Sequence, residues 1–481
     1  MIASSPFSEA SLISVATLAG TGIAILLLEL WRMPGGSHVP RRFLAWVSLT
    51  SLVVAAALTL MALFSGQPDQ VQGMLGIDGP ATWFALFLYA AGAAIVLTES
   101  GLPANEGVRN GGGYALILFA ILGALLVVQS IHMLPLAIGL AMLYTASGAL
   151  LGPRVAWGYI AIQGAGLASV LMGGALLYGA TGSLQMDIVI ARLSYLASRE
   201  TSHTLVALGA GLFITGLCLP LGILPFHTWR PEIYCRSWLP GGMLVSLTLH
   251  VAAISVLSRF HSAWDRHTIA LFAILGSWSV VIGPLNALRS YTVQDTLAHL
   301  ATAQSGGLIL ALASLPATLS DTSSGWPRLV YLLASSSLGV AGLWSLAANA
   351  RRRERLALPL QDIAGLGLRR PWVAITTTVC VLSAVGVPPL SGWIAQLGLV
   401  QALIVAGYGG AAGAVLGGAV LGGLNAGRWL LTIWTRPHVR STWVPSTPEI
   451  ALIAVATAAG TLLAGLYAEA IYGWIARLAA P

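Results

Sequence analysis

The chain predicts an all-α integral membrane protein of about fourteen transmembrane helices, two or three of them broken. Three observations carry that expectation. Hydrophobic residues fill 57% of the 481 positions, whereas Asp, Glu, Lys and Arg together fill 8%. A soluble domain keeps roughly 25% charged residues, because its surface must face water. Apolar runs of about 20 residues, the length needed to cross a ~30 Å hydrocarbon core, recur from end to end. They leave no room for a sizeable soluble domain, so residues 1–481 read as a single membrane domain.

In chain order, spans are expected near 9–31, 43–65, 81–98, 112–129, 131–151, 155–180, 204–224, 240–258, 267–288, 294–315, 326–348, 371–408, 410–434 and 449–472. The first run lacks a basic leader and a small-residue cleavage site, so it reads as a retained span and not a signal peptide. The run 371–408 is too long for one ordinary crossing and holds Pro388 and Pro389 near its middle. Proline removes a backbone donor and clashes with the preceding turn, so this pair breaks the helix. A second break is expected after the seventh span, where Pro225 precedes a short amphipathic stretch, Phe226 to Cys235, carrying His227, Arg230 and Glu232. Broken helices persist at membrane depth only where protein or a wet cavity satisfies the freed backbone.

All 23 basic residues are arginine, and the net charge is +7. They stand singly or in short clusters between apolar runs, which fits the positive-inside rule and not a nucleic-acid footprint. With the N-terminus outside, sixteen arginines, Arg230 among them, fall on inner connections and six on outer ones. That bias places both termini on the periplasmic side of a bacterial-type inner membrane. The arginine-rich 351–370 loop then faces the cytoplasm, either as a solvated topology anchor or as a contact for an acidic peripheral partner. Cys218, Cys235 and Cys380 show no metal spacing and read as small apolar residues. No glycine pattern follows a strand as a dinucleotide site requires. The chain is therefore expected to bind no cofactor and to have no catalytic residues of its own.

Four stretches, in order, resemble the antiporter-like, proton-conducting subunit family of respiratory complex I, and within it the bacterial N subunit. LPFHTWRPEIYCRSWLPGGMLVSLTLHVAAISVLSRF, residues 224–260, is similar to the family's PFHxWxPDxY motif and the helix after it. Residues 158–183 are similar to its helix ending LLYGxTGS, residues 296–312 to its LAYSSIAHMGY broken helix, and residues 386–404 to its GIPPLxGFxGKF stretch. The resemblance implies an antiporter-like core over about 112–408, flanked by helices at 9–98 and 410–472. It also implies a hetero-oligomeric complex in which flavin, iron–sulfur clusters and quinone belong to other subunits.

The resemblance further implies a mid-membrane row of one glutamate and several lysines, and there this sequence departs from it. The glutamate position falls on Ala141, one lysine position near Gly158, and the lysine before PFHxW on Pro220. The lysine sixteen residues past the motif tyrosine falls on His250, the GKF lysine on Gln396, and the SSIAHMG histidine on Gln304. Alanine, glycine and proline hold no proton, and glutamine can support a water chain without changing charge. His250 alone of these can titrate in the ordinary range. His227 and Glu232 either line a polar pocket at the break or form a structural kink with its own caps. Asp295 and His299 begin the tenth span, read as broken, with Arg289 as a partner for Asp295 or with Asp295 as a helix-start acid. Asp78 reads as a helix-start residue, while Glu29 and His132 read as interfacial. Three functions remain open: a membrane-arm subunit of a proton-translocating oxidoreductase with a degenerate relay, a subunit of a cation/proton antiporter or bicarbonate-uptake complex, and a non-conducting structural subunit.

Overall fold

The computed structural model describes residues 10–30, 39–64, 69–71, 73–102, 111–198, 204–315, 322–350, 357–435 and 447–479. No water reaches a bilayer core, so each crossing must satisfy its own backbone, and nearly every described segment is helical for that reason. The helices are α1 (Ala10–Leu30), α2 (Arg41–Phe64), α3 (Gly79–Gly101), α4 (Gly112–Gln129), α5 (Met133–Leu151), α6 (Ala156–Thr181) and α7 (Met186–Ser198). They continue as α8 (Thr204–Leu221), α9 (Trp229–Arg236), α10 (Leu239–Arg259), α11 (Arg266–Ala287), α12 (Val293–Ala313) and α13 (Thr322–Asn349). The chain ends with α14 (Leu366–Arg369), α15 (Pro371–Val385), α16 (Ser391–Val405), α17 (Gly409–Trp434), α18 (Pro448–Leu466) and α19 (Ala468–Ala479).

Thirteen of these helices are long and apolar enough to cross a membrane. The shorter α15 and α16, separated at the double proline, share the fourteenth crossing. The expected breaks at Pro225 and at Pro388–Pro389 are both present, since the helix stops at Leu221 and again at Val385. A break in the tenth span is not: α12 is one helix of 21 residues. Thr302 bonds back to Ala298 O at 3.2 Å and Ser305 to Ala301 O at 3.0 Å, so these hydroxyls interrupt nothing.

The inner helix is α10, buried from Pro240 to Ser258 and packed on α3, α4, α5, α8, α12 and α13. Helices approach closely where glycine faces glycine. A Cβ on Gly139 would stand 2.7 Å from Gly123 O, and one on Gly306 would stand 2.7 Å from Gly276 O. Without a hydrophobic drive between helices in lipid, such small-residue seams supply the packing. Asp78 caps α3 through Ala81 N at 2.7 Å and pairs with Arg259 at 3.2 Å, tying the C-terminal end of α10 to the start of α3.

Three pieces lay outside the expected spans. A hairpin pairs Asp69–Val71 with Leu75–Ile77. The amphipathic α7 follows the sixth crossing, and the run expected at 449–472 divides into α18 and the amphipathic α19. Of the 351–370 loop, residues 351–356 lie outside the described residues, and with them four of its arginines. The remainder folds back on the chain: Leu358 accepts from Val293 N at 2.8 Å, and Arg370 donates to Asn349 O at 2.9 Å.

Candidate functional site: two helix breaks facing α12

The first break begins at Gly222, whose φ of +53° reverses the chain after α8. The short α9 then turns one face inward: Trp229, Arg230, Ile233 and Tyr234 are buried, spaced as helix neighbours three and four apart. Arg230 is therefore not a loop anchor, as its place between apolar runs suggested; it is 1% exposed. Its Nη2 donates to Leu221 O, to Ser305 Oγ at 3.1 Å and more weakly to Pro220 O at 3.5 Å. The same nitrogen lies 3.1 Å from His250 Nε2, which accepts from it, while Nδ1 of that ring donates to Ser246 O at 2.9 Å. His250 stands near the midpoint of α10 and Ser305 near the midpoint of α12. The guanidinium therefore sits at mid-membrane height. No carboxylate pairs with it among the described residues, and its Nε and Nη1 have no hydrogen-bond partner there.

Arg230 touches two of the positions at which the resemblance implied a lysine: the carbonyl of Pro220, in the last turn of α8, and the ring of His250. Glycine is required opposite it, since a Cβ on Gly222 would lie 2.5 Å from Arg230 Nε. Glu232 takes no part in this pocket. It is exposed and pairs with Arg236 at 2.7 Å, one turn on along the outer face of α9. His227 lies in the break, half-buried. His299 sits 3.5 Å from Asp295, so the partner of Asp295 is this histidine and not Arg289.

The second break begins at Gly386, φ +77°, and the Gln396 side chain lies over it where a Cβ would stand. Hydroxyls line the gap: Ser335 donates to Ser391 at 2.9 Å, and Gly392 N donates to Ser383 at 3.3 Å. A cavity of about 100 Å³ opens here, with Gln304, Ser335, Ser336, Ser383 and Gln396 as its polar lining. It is large enough for several waters, each needing ~10–15 Å³ by this measure and two or more polar partners. Gln304 donates to Ser336 O at 3.2 Å. Gln304 and Ser305 are consecutive on α12, so this helix turns one polar group toward each break.

Ala141 and Gly158, where the resemblance implied a glutamate and a lysine, carry no titratable side chain. Ala141 is half-buried on α5, and Gly158 points outward from α6. The inward residue beside it is Tyr159, fully buried, whose hydroxyl meets Ser147 at 3.0 Å and whose ring abuts Trp229 of the first break. A second intramembrane arginine, Arg428 on α17, donates to Ala287 O at 2.9 Å and to Leu288 O, capping α11. It balances the carbonyl end of that helix.

Sequence reasoning missed Arg230, and two signals pointed to it. One is its register with Ile233 and Tyr234. The other is a repeat: Gly222-Ile223-Leu224-Pro225 with Trp229 recurs as Gly386-Val387-Pro388-Pro389 with Trp393, and in each the glycine has positive φ and the last X–Pro bond is cis. Four full crossings, α10 to α13, lie between the two broken segments, so the two breaks are traversed in opposite directions.

Residues 154–422 match the family model described as NADH:quinone oxidoreductase/Mrp antiporter, TM. The curated NADH-quinone oxidoreductase subunit N 2 of Roseiflexus castenholzii is 29% identical over 406 residues, covering 77% of this chain and 81% of that one. A chain of respiratory complex I from Thermus thermophilus superposes with a TM-score of 0.80 at 24% identity, over 96% of this chain and 98% of that one. A chain of the Mrp complex from Dietzia sp. superposes with a TM-score of 0.83 at 17% identity, over 99% and 97%. These two share the fold. The chain thus belongs to the NADH:quinone oxidoreductase/Mrp antiporter transmembrane family, as an antiporter-like membrane subunit.

Proposed function

We propose that the chain is a membrane-arm subunit of a multisubunit proton-translocating oxidoreductase, of complex I or hydrogenase type, in which its own proton relay is degenerate. The observation that carries this is the contrast at the two breaks. The broken-helix frame stands, yet the groups at it are Arg230 with His250 and Gln304 with Gln396, none of them a lysine or a carboxylate. The relative named as a quinone oxidoreductase subunit supports the choice of complex, since the match spans 81% of its length. Electron carriers and quinone chemistry belong to partner subunits on this reading. His250, His227, His299 with Asp295, Gln304 and Gln396 are the remaining groups able to hold or guide a proton. Both termini lie on the periplasmic side, and the arginine-rich loop offers a cytoplasmic contact for an acidic peripheral partner.

A cation/proton antiporter complex is the second reading, favoured by the fold shared with the Dietzia Mrp chain. Mass spectrometry of the complex purified from native membranes through a tag on this chain separates the two. Co-purifying flavin and iron–sulfur subunits support the oxidoreductase. A set made only of antiporter subunits, or of carbonic-anhydrase-like ones, contradicts it.

A further inference from the structure

A helix broken in mid-membrane frees carbonyl groups, and ordinarily water or neighbouring protein must satisfy them. At the first break the freed carbonyls are those of Pro220 and Leu221, and Arg230 donates to both. The chain fills with its own side chain the place where water could enter. The side chain is pinned: Ser305 and His250 bond it, Trp229 stacks under it at 5.6 Å, and it fills the space a Cβ on Gly222 would need. Guanidinium stays charged at any physiological pH. With no carboxylate paired to it among the described residues, it leaves a fixed positive potential at mid-membrane.

We infer that Arg230 is an electrostatic plug at the first break, closing the mid-membrane crossing to protons and small cations. This rests on the degenerate-relay reading above: a subunit without its lysines still carries two broken helices, and a water path through both would leak unless one of them is closed. A fixed cation in a narrow passage raises the barrier to hydronium and metal cations, as arginines do in selective pores. The plug also occupies the acceptor on His250. The Nε2 lone pair, where a proton would settle, accepts from Arg230, and Arg230 is the charged group acting on that ring. The guanidinium itself exchanges no proton, so the assignment concerns closure and not transfer.

The test is passive proton entry into liposomes holding the purified complex, without electron donor, under an imposed pH gradient read by an internal dye. Wild type is tight. Arg230→Gln and Arg230→Met raise entry by about tenfold or more, tenfold being ~1.4 kcal/mol of barrier. Arg230→Lys, which keeps the charge, stays near wild type. Methionine removes a buried charge without leaving another unpaired, so this variant is expected to fold; subunit stoichiometry checks its assembly. Two outcomes overturn the plug. In one, both neutral variants are as tight as wild type. In the other, both lose electron-driven pumping without leaking, which makes Arg230 part of a conducting path. An error in the oxidoreductase reading shows separately, as a purified complex lacking redox subunits, and leaves the leak measurement valid.

Discussion

The two helix breaks are built on the same local plan and filled in opposite ways. Each starts at a left-handed glycine, Gly222 or Gly386, followed three residues later by a proline and seven later by a tryptophan. In each, a polar side chain from the next helix segment lies over that glycine: Arg230 in the first, Gln396 in the second. The first side chain is a cation that binds the freed carbonyls directly. The second is neutral and borders a cavity of about 100 Å³. One half therefore holds charge and a histidine in close packing, and the other holds space and hydrogen-bonding groups without charge. A relay needs a titratable group and a hydrated approach in the same half. On the proposed reading, the transporter frame persists here with the two ingredients parted.

Substitutions that attack one break and spare the other expose this difference. The largest effect is expected from Gly222→Ala, where the added methyl meets Arg230 and the residue is strained at positive φ. We expect a loss of roughly 1–3 kcal/mol in stability of the assembled complex, read as a lower melting temperature, together with proton leak. Gly386→Ala should lower stability comparably without leak, because Gln396 guards no charge. Equal leak from both would erase the contrast.

Next comes Gln396→Lys, which returns an amine to the cavity. Burial disfavours the charged amine, so its folded pKa falls below the ~10.4 of the unfolded chain. The unfolded state then binds more protons than the folded state between those values, and stability rises with pH across that window. The variant's melting temperature should climb relative to wild type as pH is raised toward ~10. A difference independent of pH shows that the cavity hydrates the amine fully.

The smallest effect is expected at His250. His250→Gln keeps a neutral hydrogen-bonding group beside Arg230, so passive leak stays at the wild-type level and electron-driven flux through the complex changes little. A large fall in that flux makes His250 a proton carrier and contradicts a parted relay.

Much of this arrangement was legible in the amino-acid sequence. Apolar length marked the crossings, since a bilayer sets helix length directly, and the double proline in an overlong run marked the second break. The tenth span read as a third break because residues 296–312 resemble the LAYSSIAHMGY broken helix, and its polar side chains read as part of that break. In α12 they bond within the helix or to neighbouring backbone and leave it continuous. Arg230 read as a loop residue because arginine between two apolar runs usually is one. Its inward direction depends on α9 being a helix of a single short face, which tertiary packing on α10 and α12 decides. The pairing of Asp295 with His299, one turn apart, was available from spacing alone.

The central claim is that the first break is closed by protein and the second is open to water. The most direct measurement is a map of the intact complex by electron cryo-microscopy, at a resolution that shows ordered water. The account predicts waters joining Gln304 to Gln396 across the second break, and Arg230 bonded to the Leu221 and Pro220 carbonyls with no water file passing it. A continuous line of water from His227 past Arg230 to His250 would contradict it.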